Sequence, residues 1–300
     1  MNDPKAILQS IPSDKPVLIA GPTASGKSAL ALAIAERDGR QIVNADALQV
    51  FGNWRVLTAR PSPEEEARAP HALYGHLAAE DRYSVGEWLR DVAPCLEPSP
   101  PPVIVGGTGL YFSALTEGLA EIPPVPDAIR AEAAERLAHT GVQALLAEID
   151  SDTLAQIDTD NPARVLRAWE VQQATGDGLA AWQDRPASPL LPLSDSHAMV
   201  IDAPRDWLTP RIAHRFSAML ENGALEEARR NLEDWDPTRQ SARAIGAPDL
   251  IAHLKGEASL KTATDRAVIA TRQYAKRQRT WLRSRMKTWR WIEAERLSGL

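Results

Sequence analysis

Residues 16–35 read PVLIAGPTASGKSALALAIA, and this stretch decides the fold. Pro16 to Ala20 is apolar and β-prone, Ala29 to Ala35 is strongly helix-forming, and between them lies GPTASGKS, residues 21–28. A strand handing over to a helix through Gly-x4-Gly-Lys-Ser is the pattern of a phosphate-wrapping loop. Its backbone N–H groups and the positive end of the helix converge on anionic oxygens, a lysine adds a movable cation, and the serine hydroxyl suits Mg²⁺. Gly21, Pro22, Thr23, Ala24, Ser25, Gly26, Lys27 and Ser28 are therefore read as a diphosphate- or triphosphate-binding segment, with Ser28 as the metal-ligating side chain. The loop by itself does not choose among phosphoryl transfer, hydrolysis-driven motion and displacement of pyrophosphate, which all need the same cradle.

Outward from this stretch the chain alternates in the manner of an α/β protein. Gln41 to Ala45 reads as a second strand delivering Asp46, Pro102 to Val105 as a third ending at Gly106-Gly107-Thr108-Gly109, and His197 to Asp202 as a fourth. The expected fold is a P-loop NTPase-like parallel sheet flanked by helices, with ligands beyond the carboxyl ends of the strands. That rule puts Asp46, Thr108 and the phosphate loop along one crevice. An Ala/Glu/Leu/Arg-rich segment bounded by Ile122-Pro123-Pro124-Val125-Pro126 and by Pro186 to Pro192 reads as a helical insertion, 123–192, within a core of 1–122 and 193–300. Residues 60–70 (RPSPEEEARAP) read as an exposed connection.

Composition sets the surroundings. The chain has 300 residues, 44% hydrophobic and 25% charged, which is ordinary for a globular protein, and no run approaches the roughly 18 apolar residues of a membrane span. The first residues lack the basic and apolar regions of a secretory signal, and Cys95 is the sole cysteine, so a cytoplasmic protein without disulfides or a cysteine-based zinc site is expected.

Net charge is −6, yet the sign is unevenly spread. Acidic stretches such as Glu64-Glu65-Glu66 and Glu226-Glu227 contrast with Arg266 to Arg290, where every charged side chain is basic. At about 100° per residue, Arg272, Lys276, Arg279, Arg283, Lys287 and Arg290 fall within roughly 80° of one another, with Tyr274 and Trp281 on the other side. One helix with a cationic stripe and an apolar stripe is expected, and a one-signed stripe suits a nucleic-acid backbone better than a merely solvated face. A carboxylate at a strand end near bound phosphate, as at Asp46, serves as proton acceptor, as a partner of Mg²⁺ or simply as a turn cap. Asp202, followed by a turn, reads as structural.

Taken together, GPTASGKS, NADALQVF (44–51), GGTGLYF (106–112), NPARVLRAWEV (161–171), RFSAMLENGALEEARR (215–230), SARAIGAPDL (241–250) and TRQYAKRQRTWLR (271–283) resemble the tRNA dimethylallyltransferase family, in its order and over nearly the whole chain. The chain is similar to the compact bacterial form, without the C-terminal zinc finger of eukaryotic members. The resemblance implies transfer of a dimethylallyl group from dimethylallyl diphosphate to N6 of the adenosine 3′ of the tRNA anticodon, with Mg²⁺ and release of pyrophosphate. It implies Asp46 as general base, Thr108 as its assistant, and Lys27 and Arg215 on the diphosphate. It further implies tRNA contacts at Asp46, Ala47, Leu48 and Gln49, at Ala163, Arg164, Val165, Leu166 and Arg167, and at Arg243, Ala244, Ile245 and Gly246. Arg272, Lys276, Arg279 and Arg283 complete that set, the insertion clamping the anticodon stem of a monomeric enzyme.

Departures from the family pattern are Ala47 where serine is usual, Phe51 for tyrosine, Leu57-Thr58-Ala59-Arg60-Pro61 for Gly-Thr-Ala-Lys-Pro, and Ala247-Pro248 after the RAIG motif. They touch the implied tRNA contacts and leave Lys27, Asp46 and Thr108 in place. An AMP isopentenyltransferase, a P-loop small-molecule kinase and a non-catalytic RNA-binding protein are the alternatives.

Overall fold

The computed structural model describes residues 4–185 and 188–300. Pro186 and Ala187, which open the proline-rich segment expected to close the insertion, lie outside the described residues. The chain runs α1 (Pro4–Gln9), β1 (Val17–Ala20), α2 (Lys27–Asp38), β2 (Ile42–Asn44), α3 (Pro63–Arg68), β3 (His71–Ala72), α4 (Val85–Val92), β4 (Val103–Gly106) and α5 (Gly109–Glu117). Five helices follow: α6 (Asp127–Thr140), α7 (Val142–Leu146), α8 (Ser151–Gln156), α9 (Pro162–Thr175) and α10 (Leu179–Gln183). The remainder is β5 (His197–Asp202), α11 (Arg205–Glu221), α12 (Ala224–Arg230), α13 (Ala247–Leu254), α14 (Leu260–Arg285) and β6 (Arg290–Glu293).

Among the described residues six strands form one all-parallel sheet in the order β3-β2-β4-β1-β5-β6. Alternation along the strands divides the core, because successive side chains point to opposite faces. Val17, Ile19, Val105, Met199 and Ile201 pack with Leu30, Ile34 and Ala35 of α2 on one face. Leu18, Ala20, Ile104 and Val200 pack with Trp88, Phe112, Leu115 and Leu282 on the other. Strands covered on both faces carry near-continuous apolar runs, which is why the central ones are legible in the sequence.

Three local expectations need correction. The sheet has six strands and not four: β3 is two residues long, and β6 is an edge strand whose Arg290 and Glu293 are exposed. The cationic helix stops at Arg285, so Lys287 lies beyond it and Arg290 belongs to β6, where it donates to Ser10 Oγ at 3.1 Å. The connection at 60–70 contains α3, started by a capping box in which Glu65 N–H donates to Ser62 Oγ and Ser62 N–H to Glu65 Oε2.

Two compact units result. One ends at Thr116 and resumes at Leu190; the other spans Glu117–Pro189, against the 123–192 expected for the insertion. The second unit has its own core of Ala133, Leu145, Val165, Ala168, Trp169 and Val171. Its Trp169 Nε1–H donates to Glu148 Oε2 at 2.8 Å, and Glu148 also pairs with Arg136. No helix among the described residues is long and apolar enough to cross a membrane.

Within the first unit, α11 to α14 enclose a cluster of Trp54, Leu57, Phe216, Ala224, Ala244, Leu250 and Ala267. Glu227, half of an acidic pair in the sequence, is buried there with its carboxylate accepting from Arg55 N–H (2.6 Å), Val56 N–H (2.9 Å) and Leu57 N–H (2.9 Å). Three backbone donors held by one buried acceptor fix the turn that carries Thr58 and Arg60 to the functional site, since unmade bonds there would each cost about 1–3 kcal/mol.

Candidate active site

β1 ends at Ala20, and the chain wraps from Gly21 to Gly26 before α2 begins at Lys27. Ala24 at φ +62° and Gly26 at φ +89° put successive amides in the alternating conformation that gathers N–H groups into an anion nest. An alanine in the left-handed region costs about 1 kcal/mol, a strain tolerable where it shapes a ligand cradle. Gly21 is needed for packing, as a Cβ there would stand 2.9 Å from Ser25 Oγ and 3.2 Å from Ile201 Cβ. Gly21, Pro22 and Ser25 are buried and form the inner wall, Thr23, Ala24 and Gly26 are half-buried, and Ser28 is exposed at the first turn of α2.

A cavity opens over this loop, lined by Thr23, Lys27, Asp46, Thr58, Arg215 and Tyr274. A second is lined by Ser28, Arg60, Glu65, His71 and Tyr74. Lys27, Gln49 and Arg215 line both. Arg215, on α11, donates to Thr23 Oγ1 at 3.2 Å, and Lys27 Nζ donates to Pro22 O at 3.3 Å. Burial first, and then the nearby Arg215 cation, lower the Lys27 ammonium, Asp46 partly offsets both, and the result is about 8. Burial likewise lowers Arg215, again opposed by Asp46. Two desolvated cations sharing one carboxylate leave room for an anionic ligand.

Asp46 follows β2 in a turn that its own side chain stabilises: Leu48 N–H donates to Oδ1 at 3.0 Å. The same turn is held from outside, with Asp46 N–H donating to Asn44 Oδ1 (2.9 Å) and Ala47 N–H to Thr108 Oγ1 (2.9 Å). Asp46 is thus both a turn cap and a lining group of the cavity, with Oδ2 left for a proton donor from outside the chain. The Tyr74, Tyr111 and Tyr274 hydroxyls are all pushed up by burial and then by the Asp46 charge, so they remain protonated. The Tyr274 hydroxyl is engaged with Thr108 and Gln278.

The expected site residues divide into groups. Lys27, Asp46, Leu48, Gln49, Arg215 and Ile245 line one cavity, with Thr108 and Ala47 bonded to each other at its edge. Arg243 is exposed, whereas Ala244 and Gly246 are buried beside it. In the second unit Ala163 and Arg164 are exposed on α9 and Leu166 packs against the core. Arg167 is half-buried and 3.9 Å from Glu170. Val165 is fully buried, so neither it nor Ala244 offers a side chain to a partner. Arg272, Lys276 and Arg279 line a groove between α11 and α14 with Arg205 and Thr209. Arg283 instead pairs with Asp202 at 3.1 Å.

Several lining residues were not among the expected site residues. Thr58 and Arg60 arrive through the Glu227-held turn, and His71 and Tyr74 through the short β3 region. Tyr274 lies on the face of α14 opposite the cations and reads as packing, and Gln278 shares that face without any signal of its own. The capping box at Ser62 was the one available signal for the α3 region.

A phosphate loop that shares its cavity with a carboxylate fits a P-loop group-transfer enzyme. A family model described as IPP transferase matches residues 49–285, and one described as isopentenyl transferase matches residues 15–71. The chain is 61% identical over 282 residues to a tRNA dimethylallyltransferase of Cereibacter sphaeroides strain KD131, covering 94% of this chain and 90% of the relative. It is 62% identical over 276 residues to that of Roseobacter denitrificans, covering 92% and 98%. The chain belongs to the tRNA dimethylallyltransferase (IPP transferase) family. Among solved structures it is similar to the tRNA isopentenylpyrophosphate transferase of Bacillus halodurans (29% identity, TM-score 0.66, 94% of this chain and 90% of that one). Its fold is also that of a eukaryotic dimethylallyltransferase acting on tRNA (22% identity, TM-score 0.77, 93% and 74%).

Proposed function

We propose that the chain transfers a dimethylallyl group from dimethylallyl diphosphate to N6 of the adenosine immediately 3′ of the tRNA anticodon, releasing pyrophosphate. The observation that carries this reading is that Asp46 lines the same cavity as Thr23, Lys27 and Arg215. An exocyclic aryl amine is a weak nucleophile, and a carboxylate within about 3 Å relieves the positive charge that develops on it. Lys27, Arg215 and the loop amides stabilise negative charge growing on the departing diphosphate as the allylic C–O bond breaks. The adenine must leave its stack to reach Asp46, at a cost of a few kcal/mol, and Tyr274 and Ile245 offer apolar surface beside it.

Mg²⁺ fits this site through Ser28. Among the described residues no cluster of three or more His, Cys, Asp or Glu side chains could hold a metal. Mg²⁺ takes one or two protein ligands, keeps several waters and binds phosphate oxygens, so one exposed hydroxyl at the cavity suffices. When bound, it would add positive charge to the leaving diphosphate.

The stripe on α14 and the arginines of α9 are the proposed grips on tRNA phosphates. Arg272 and Lys276 are exposed, so replacing both with alanine should weaken tRNA binding whatever its sequence. The slope of log affinity against log salt should become shallower by about 1.5, as for two lost phosphate contacts. An unchanged slope would assign these side chains to solvent.

A second expectation follows from Lys27. Its ammonium titrates at about 8 in the free protein, so kcat/KM for dimethylallyl diphosphate should fall as pH rises through that value, the cation being present below it and lost above. Lys27→Arg, which stays charged, should remove this inflection from the pH–rate profile; an inflection that persisted would belong to another group.

The function itself is tested by offering labelled dimethylallyl diphosphate with either tRNA or AMP. Label on tRNA supports the proposal. Label on AMP, or transfer of the γ-phosphate of ATP to a small acceptor, would replace it.

A further inference from the structure

Helix α14 has two working faces. Arg272 and Lys276 are exposed on one, while Gln278 on the other is buried at 6% exposure, with both ends of its amide engaged. Its Oε1 accepts from Thr23 N–H at 2.9 Å, and its Nε2–H donates to Gly107 O at 2.9 Å. Thr23 belongs to the phosphate loop, where Arg215 meets it. Gly107 adjoins Thr108, which holds the Asp46–Ala47 turn, and a Cβ on Gly107 would stand 3.4 Å from Asp46 Oδ2. The same Cβ would stand 2.1 Å from Gln278 Nε2, so the approach depends on a glycine at 107. One planar amide of fixed length therefore spans the loop that holds the leaving group and the turn that holds the base.

We propose that Gln278 is a positioning residue for the transfer step, setting the separation between the phosphate loop and the Asp46–Thr108 turn. A buried glutamine that only satisfied itself would have no reason to join these two segments. Reaction geometry is steep in distance: a misplacement of about 1 Å can cost about 10²-fold in rate. The strut sits on the helix that carries the cationic stripe, so the element proposed to grip tRNA also sets the register of the reacting groups. The inference rests on the reading of the site given under Proposed function.

Two substitutions reach the strut from opposite ends. Gln278→Met keeps the side chain's bulk and removes the hydrogen bonds to Thr23 and Gly107 together with the contact to Tyr274, and Gly107→Ala displaces the amide while leaving Gln278 in place. Each is expected to lower the single-turnover rate constant for dimethylallyl transfer to tRNA by about 10- to 100-fold, with the tRNA Kd within about twofold of wild type. The double variant should be no slower than the slower single one, because both remove the same link. A merely structural role would reduce the active fraction and Tm without changing the rate constant of the molecules that bind tRNA. Gln278→Glu keeps an acceptor for Thr23 but turns an oxygen toward Gly107 O, and should show the same loss if Gln278→Met does not fold. A wild-type rate constant in the Gln278 variant that folds, or effects of Gln278→Met and Gly107→Ala that multiply in the double variant, would overturn the proposal. Failure of the wild-type protein to modify tRNA would instead overturn the reading of the site.

Discussion

Asp46→Asn is expected to lower the single-turnover rate of dimethylallyl transfer by about 10² or more while tRNA affinity stays nearly unchanged, the loss typical of a missing general base. Asparagine is the informative replacement because the Asp46 side chain does two things. Its Oδ1 accepts from Leu48 N–H, and an amide oxygen accepts equally well, so the turn survives. The links from Asn44 and Thr108 to the backbone of the same turn do not involve the carboxylate and also survive. What disappears is the basic oxygen facing the cavity. Loss of the carboxylate also withdraws the anion that raises Lys27, so the comparison belongs at or below pH 7, where that ammonium is charged in the parent. A near-normal rate in Asp46→Asn would remove Asp46 from proton transfer and leave it as a cap.

Lys27→Met should be at least as damaging, lowering kcat/KM for dimethylallyl diphosphate by about 10² to 10³, the usual effect of deleting one preorganised group aimed at developing charge. Burial makes this lysine costly to charge in the free protein, and Arg215 nearby makes it costlier. Such an arrangement is repaid only when a polyanion arrives. Because the negative charge on the diphosphate grows as the C–O bond breaks, kcat should fall along with affinity, and a defect confined to KM would mean that Lys27 holds ground state and transition state equally. Steady-state kinetics with tRNA held saturating separate these outcomes.

The parts of the molecule legible in the sequence are those whose signal is local. The phosphate loop announces itself through Gly26 and Lys27 between an apolar run and a helix, and strands buried on both faces spell themselves in Val, Ile and Leu. Edge strand β6 does not, because Arg290-Trp291-Ile292-Glu293 follows directly on a basic helix, and Lys287 and Arg290 fall by spacing alone on the helical stripe they do not join. Glu227 is invisible for another reason: beside Glu226 it reads as half of a surface pair, and only the tertiary fold buries it against three backbone donors. Thr58 and Arg60 reach the cavities as a consequence. Tyr274 was readable as part of a buried face, though neither it nor Gln278 as turned toward Asp46 and the phosphate loop, since that depends on how α14 lies against the ends of β1 and β4.

The central claim is that one cavity holds a departing allylic diphosphate and an extruded adenine on either side of the bond being exchanged. A crystal structure of the protein with an anticodon stem–loop RNA and a non-reactive thiolodiphosphate analogue of dimethylallyl diphosphate tests it most directly. The diphosphate is expected on residues 21–28 beside Lys27 and Arg215, with the adenine N6 within about 3 Å of the Asp46 carboxylate. An adenine that stays stacked in the loop, or an Asp46 carboxylate turned away from it with the diphosphate bound elsewhere, would contradict the account.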